Sequence, residues 1–253
     1  MKVFVLVWCK NKANAETSLL TFKTIRTGFP SAEIVIVDNA SILGSEVQQI
    51  DVGAQHIRLN REVSHAEYLG WILMNEDNAV IVDPDIVFWE KVEDWDFSEY
   101  LMAGRLLPHF YDKYSKSHTV SRLHTSFLWF PDLVELRKLY KEKAPYLLNP
   151  IAESMVAMGS KFVRWDTMAS LYHMFKDRAY CFSDKELDSY DHLFCGTHVD
   201  MIYDLGFGKD TPLEEGHNLK GDSLKGHWRK QEEYLQDHKS DFLDKMWSSL
   251  NVS

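Results

Sequence analysis

Cysteine is scarce in this 253-residue chain: Cys9, Cys181 and Cys195 are the only three, without CxxC spacing. That number excludes a complete disulfide framework and a zinc knuckle, and points to a reducing compartment. Positive charge is also short, 28 Lys and Arg against 38 Asp and Glu for a formal charge of −10. No general cationic surface is therefore expected to coat DNA or an anionic membrane. Long apolar runs are missing as well. The opening MKVFVLVWCKNK offers about seven apolar residues, too few for a signal peptide core or a span, and no later segment reaches the roughly 18 that a spanning helix needs. The expectation is a cytoplasmic protein without a membrane span. There is no internal repeat and no low-complexity segment.

What is present is a normal globular composition, 45% hydrophobic and 26% charged, in one chain long enough to bury a large core. The first 104 residues alternate. Val3 to Trp8, Glu33 to Val37, Gln55 to Leu59 and Ala79 to Val82 read as strands. Asn14 to Thr27, with Asn14 as N-cap, and Ser64 to Met74 read as helices. Such alternation predicts an α/β fold with a mostly parallel sheet flanked by helices. Tyr100 to Gly104 and Thr125 to Phe130 are further strands, with Arg105 to His124 a long polar loop between them. Asp132 to Lys143, Asp166 to Phe175 and an amphipathic closing segment, Arg229 to Leu250, carry apolar residues at helical spacing. No domain boundary is evident, so residues 1–253 read as a single domain: a first half over 1–104, an irregular C-terminal half over 105–228, and a last helix over 229–253.

The strand AVIV ends in Asp83-Pro84-Asp85. A fully aliphatic strand belongs in the centre of a parallel sheet, and the carboxyl end of such a strand is where open α/β sheets bind ligands. Pro84 fixes its own φ and biases Asp83 towards extended backbone, so two carboxylates are held stiffly, as a hard cation requires. The second strand likewise ends in Asp38-Asn39-Ala40-Ser41. Asp94-Trp95-Asp96 has the same acidic spacing but no apolar strand before it.

The succession of an early apolar strand, VDNAS, the helix entrance Asn60-Arg61-Glu62-Val63-Ser64-His65-Ala66, and a strand ending in DPD resembles the GT-A glycosyltransferases, particularly the inverting family-2-like group. The match covers roughly the first 90 residues, with echoes at Thr125 to Leu128 and Trp165 to Thr167. The resemblance implies a GT-A, Rossmann-like fold and transfer of a sugar from a nucleoside-diphosphate sugar, a UDP-sugar foremost, to a hydroxyl acceptor, with Mn²⁺ or Mg²⁺. It implies that Asp85 contacts the metal, that Asp83 supports the sugar or ribose, and that Asp38 and the Leu6 to Cys9 segment, including Trp8, lie by the base, with His65 near the nucleotide. A late histidine helps hold the metal in such enzymes; His198 is preferred here over His192. Asp166 is the implied general base, with Glu153 in reserve, although the family more often has an acidic pair there.

Other readings compete at each position. Asp38 also suits a turn cap serving Ser41, and Asp166 a helix N-cap. Trp8, Trp89 and Trp165 flank the site as core or stacking residues. The 105–124 segment mixes Arg105, Lys113, Lys116 and Arg122 with Phe110, Tyr111 and Tyr114, which suits a saccharide or a hydroxymethylated DNA base as acceptor. Lys220, with Lys225 or Arg229, is a candidate for neutralising the leaving diphosphate. Two rival functions remain. A nucleotidyltransferase would carry a Gly-rich phosphate loop after the first strand, where Cys9 to Asn14 has no glycine; the other rival is a sugar or nucleotide binder without chemistry.

Overall fold

The computed structural model describes residues 1–9, 12–42, 52–112, 117–146, 149–158 and 161–192. The closing helix expected over 229–250 lies outside them. Strand β1 (Lys2–Val7) lies parallel to β2 (Glu33–Asp38) on one side and to β4 (Ala79–Val82) on the other. β3 (Gln55–Arg58) extends the sheet parallel to β2. Past β4 come β9 (Arg122–Phe130), β6 (Met102–Leu107) and β12 (Ala179–Cys181), giving seven strands in the order β12-β6-β9-β4-β1-β2-β3. Only β9 runs against its neighbours; every other adjacent pair is parallel. The mostly parallel α/β sheet expected from the alternation is therefore the observed one.

The period of two explains why the central strands read as unbroken aliphatic runs. Val3, Val5, Val80 and Val82 face helix α1 (Lys12–Gly28), packing with Phe22, Ile25, Phe29, Phe88 and Phe127. Phe4, Ala79 and Ile81 face the other way, against α2 (His65–Asn75) and α3 (Leu133–Lys143), with Leu69, Ile72, Leu73, Leu133 and Leu136. Both faces are covered, so neither tolerates polar residues. Gly28 is required by this packing: a Cβ there would stand 2.7 Å from Cγ of the fully buried Phe88. We expect Gly28→Ala to destabilise the chain by about 1–3 kcal/mol through overpacking, read as a lowered urea midpoint with unchanged slope.

Three expectations are corrected. The segment 105–124 is not a long loop. Arg105 lies inside β6, Arg122 to His124 open β9, and β7 (Phe110–Asp112) with β8 (Ser117–Thr119) form an antiparallel pair. They belong to a second sheet, β10-β11-β8-β7, with β10 (Ser154–Met158) and β11 (Lys161–Trp165). Strands of three residues carry too little alternation to be read from sequence. Asn14 is not the cap of α1, which already begins at Lys12. The expected helix from Asp166 starts only at Ala169, as α4 (Ala169–Phe175), because Met168 at φ 74° occupies its N-cap position.

Candidate active site at the carboxyl edge of the sheet

The turn after β4 is built by backbone bonds. The Asp83 N–H donates to the Ser126 carbonyl on β9 (2.7 Å), and the Ile86 N–H returns to the Asp83 carbonyl (3.2 Å). Pro84 and Asp85 form the turn between them, and β5 (Ile86–Phe88) follows. β13 (Tyr190–His192) pairs antiparallel with β5, setting His192 opposite Ile86. The late histidine is thereby delivered beside Asp85, with Nε2 3.1 Å from Asp85 Oδ1. Both side chains are buried.

One ligand atom from each of Asp83, Asp85 and His192 lies within 4.8 Å of the others. This cluster has the donor set of a divalent metal site: two carboxylates and one imidazole. Asp85 Oδ1 fits that reading further: it is buried, and although His192 Nε2 stands 3.1 Å away, no contact to it among the described residues has hydrogen-bond geometry. Such an atom is costly unless a cation or donor meets it. His192 is thus the histidine found with the two acids; the preferred His198 lies outside the described residues, as do Lys220, Lys225 and Arg229. His124 stands behind His192, ring centroids 5.2 Å apart. Its Nδ1 accepts the Ser126 N–H at 3.2 Å.

Helix α2 brings the next residue. Ser64 is its N-cap, with a complete capping box to Glu67, so the entrance is fixed and His65 is aimed at the turn. His65 Nε2 lies 3.6 Å from Asp83 Oδ1. Burial lowers His65 to about 4, against the opposing pull of Asp166, Glu153 and Asp85. Burial, then the charge of Asp85, raises Asp83 to about 8, with His192 acting in the opposite direction. A carboxyl that resists ionising beside a second acid is one whose charged form a nearby cation would stabilise.

The remaining sequence candidates stand outside this cluster, Asp38 and Trp8 on the same sheet edge. Asp38 is buried and already engaged: Oδ1 accepts the Ser41 N–H (2.8 Å) and Oδ2 meets Arg58 Nη1 (2.5 Å). This is the turn-cap reading, with an ion pair to Arg58 added. Trp8, half-buried, follows β1 at the same edge. Trp165 sits at the end of β11, edge-on to His173 at 5.2 Å. Trp89 is exposed. Asp94 pairs with Lys91 and Asp96 caps Ser98, so that acidic triplet serves turns.

Asp166 is not a helix cap. Its Oδ2 meets Arg122 Nη2 at 2.5 Å, and its Oδ1 accepts from Thr167 N (2.9 Å) and stands 3.4 Å from Arg164 Nη2. Arg164 continues to Glu153 Oε2 at 3.0 Å, and Thr167 Oγ1 donates to Glu153 Oε1 at 3.1 Å. The pull of Asp166 and Glu153 on His65 puts this network within electrostatic reach of the metal cluster. Sequence reasoning missed Arg122 as an organiser of the site because nothing in its local pattern marks a partner 44 residues away.

No protein-family model matches the chain, and no curated protein matches it. Solved structures do. Glycosyltransferases recur among them. A glycosyltransferase from Streptococcus pneumoniae is 15% identical over 73% of this chain and 46% of its own, with a TM-score of 0.40. A mannosyltransferase from Pyrobaculum calidifontis, solved with GDP-Man and Mn²⁺, is 17% identical over 72% of this chain and 55% of its own, at 0.44. A putative glucose-1-phosphate thymidylyltransferase from Bacillus anthracis is 11% identical over 86% and 99%, at 0.47. The chain spans less than half the length of the first, and 38% of a bifunctional glycosyltransferase also found. At these scores the likeness carries no argument about activity, and the α/β assignment rests on strand order and register.

Proposed function

We propose that this chain is a glycosyltransferase. It moves a sugar from a nucleoside-diphosphate sugar, a UDP-sugar foremost, to a hydroxyl acceptor. The observation that carries this reading is the meeting of Asp83, Asp85 and His192 within 4.8 Å at the carboxyl end of a central parallel strand, the position where such sheets take ligands. A bound divalent ion would supply charge stabilisation for the leaving diphosphate. The nitrogen donor favours Mn²⁺ over Mg²⁺.

The chain's own residues then have separable tasks. Asp83, Asp85 and His192 hold the ion. His65, neutral across the physiological range by its lowered value, stands against Asp83 and can donate a hydrogen bond to it without adding charge. Asp166 is the proposed base for the acceptor hydroxyl, with inversion at the transferred carbon. Both its oxygens are engaged, so it takes a proton only as a guanidinium contact loosens. Trp8 lines the base pocket beside Asp38, and Lys220 meets the diphosphate. The acceptor is a saccharide or a hydroxymethylated DNA base. Among the described residues no helix is long and apolar enough to cross a membrane; a cytoplasmic location is part of the proposal, resting on the scarce cysteines, of which Cys9 and Cys181 form no disulfide among the described residues.

The test is release of nucleoside diphosphate from UDP-, GDP-, ADP- and dTDP-sugars with Mn²⁺, alone and beside saccharides or hydroxymethylcytosine DNA. Release from one donor, faster with one acceptor class, is expected. No release from any of them withdraws the transferase reading in favour of a binder.

A further inference from the structure

Arg122 is the residue whose environment the proposed chemistry leaves unexplained. It opens β9, its side chain is only 12% exposed, and burial pushes its guanidinium below the usual arginine range. A guanidinium offers five N–H donors in a planar fork. Nη2 is used on Asp166. Nη1 is buried and has no hydrogen-bond partner among the described residues. Leaving a buried charged donor unused costs more than an ordinary unmade bond, and an apolar side chain of the same size would avoid that cost. A structural ion pair with Asp166 needs only one edge of the fork.

The surroundings say where the unused edge belongs. Arg122 and Arg164 converge on one carboxylate, Asp166, and the same network reaches Glu153. Asp166 and Glu153 also act on His65, whose Nε2 stands 3.6 Å from Asp83 Oδ1, so the network lies beside the Asp83–Asp85–His192 cluster. Asp166, the proposed base, is the carboxylate both guanidiniums meet, so the proposed acceptor hydroxyl would arrive beside Arg122. Planar, paired N–H groups match the oxygens of a carboxylate or phosphate better than a single hydroxyl.

We propose that Arg122, with Arg164 beside it, binds an anionic group, carboxylate or phosphate, carried by the acceptor. The proposal rests on the transferase reading for the word acceptor, but the binding itself is measurable without it. Calorimetric titration of the full chain in metal-free buffer with glucuronate, glucose 6-phosphate, glucose and inorganic phosphate separates the cases. At least tenfold tighter binding of glucuronate or glucose 6-phosphate than of glucose is expected, and which of the two leads names the group. Arg122→Gln should remove that preference. Arg122→Lys, which keeps the charge and loses the fork, should fold and reduce it severalfold, so the test survives if Arg122→Gln does not fold. Equal binding of glucose and both anionic sugars, no binding by any, or an unchanged preference in Arg122→Lys overturns the proposal. Failure of donor release with the anion preference intact would instead count against the transferase reading alone.

Discussion

Asp85→Ala is expected to abolish the rise in melting temperature that Mn²⁺ and the matching nucleoside diphosphate produce together in the parent chain. A ligand at about 100 times its dissociation constant adds roughly 2.7 kcal/mol of stability, worth several degrees for a chain of this size. The effect of the substitution is large because Asp85 is buried beside His192 and alanine offers no oxygen in its place. Removing it also removes repulsion: the charge of Asp85 raises Asp83, so the variant without ligand should melt no lower than the parent. The two readings together distinguish a metal site from a structural carboxylate. A structural Asp85 predicts lower intrinsic stability with the ligand response intact, and that pattern would sink the metal assignment.

Raising pH from about 6.5 to 8.5 in EDTA should lower the melting temperature, and Mn²⁺ should remove that slope. Asp83 is raised from 3.8 to about 8 on folding, so its contribution to stability is full below its unfolded value and lost as pH rises through the folded one. His65 is lowered from 6.5 to about 4, so its contribution is present above 6.5 and lost as pH falls through 4. Between roughly 4 and 6.5 the two slopes oppose each other. Above 6.5 only Asp83 acts. At about 1.4 kcal/mol per pH unit for one proton, the loss to pH 8 is about 2 kcal/mol, several degrees by the same scaling. A cation binds the deprotonated carboxylate and reverses the preference, so apparent Mn²⁺ affinity should climb through the same window. Asp83→Asn should flatten both curves. A parent melting temperature in EDTA that does not change across this range would refute the buried, proton-holding Asp83.

The sheet was legible because its signal is local and repeated. Each of β1, β2 and β4 is an aliphatic run buried on both faces, and an interruption between runs can only be a turn or a crossover helix. The expected helix start at Ser64 was likewise local, and the structure shows a capping box there with Glu67, within four consecutive residues. Asp83 and Asp85 were legible from their place after β4. The ligand that completes them was not. His192 reaches Asp85 only through the β5–β13 pairing, three residues against three, and short pairs formed across long loops leave no periodicity to read. Asp166 was singled out, yet its partners Arg122 and Arg164 lie on two other strands. At Asp38 the turn-cap contact to Ser41 was legible within three residues, while the ion pair to Arg58 on β3 was not.

The pairing of β5 with β13 also sets the order of assembly. Asp83 and Asp85 leave the ribosome with the first half of the chain, whereas His192 emerges only after the intervening strands β6 to β12. Closing so long a loop adds little entropy cost beyond a shorter one, but it cannot occur until the loop's own strands exist. A nascent chain therefore carries the two carboxylates without His192, and the proposed three-ligand cation site can form only once the strands after β5 have been made. If the chain is the proposed transferase, its activity waits on the sequence position of one histidine.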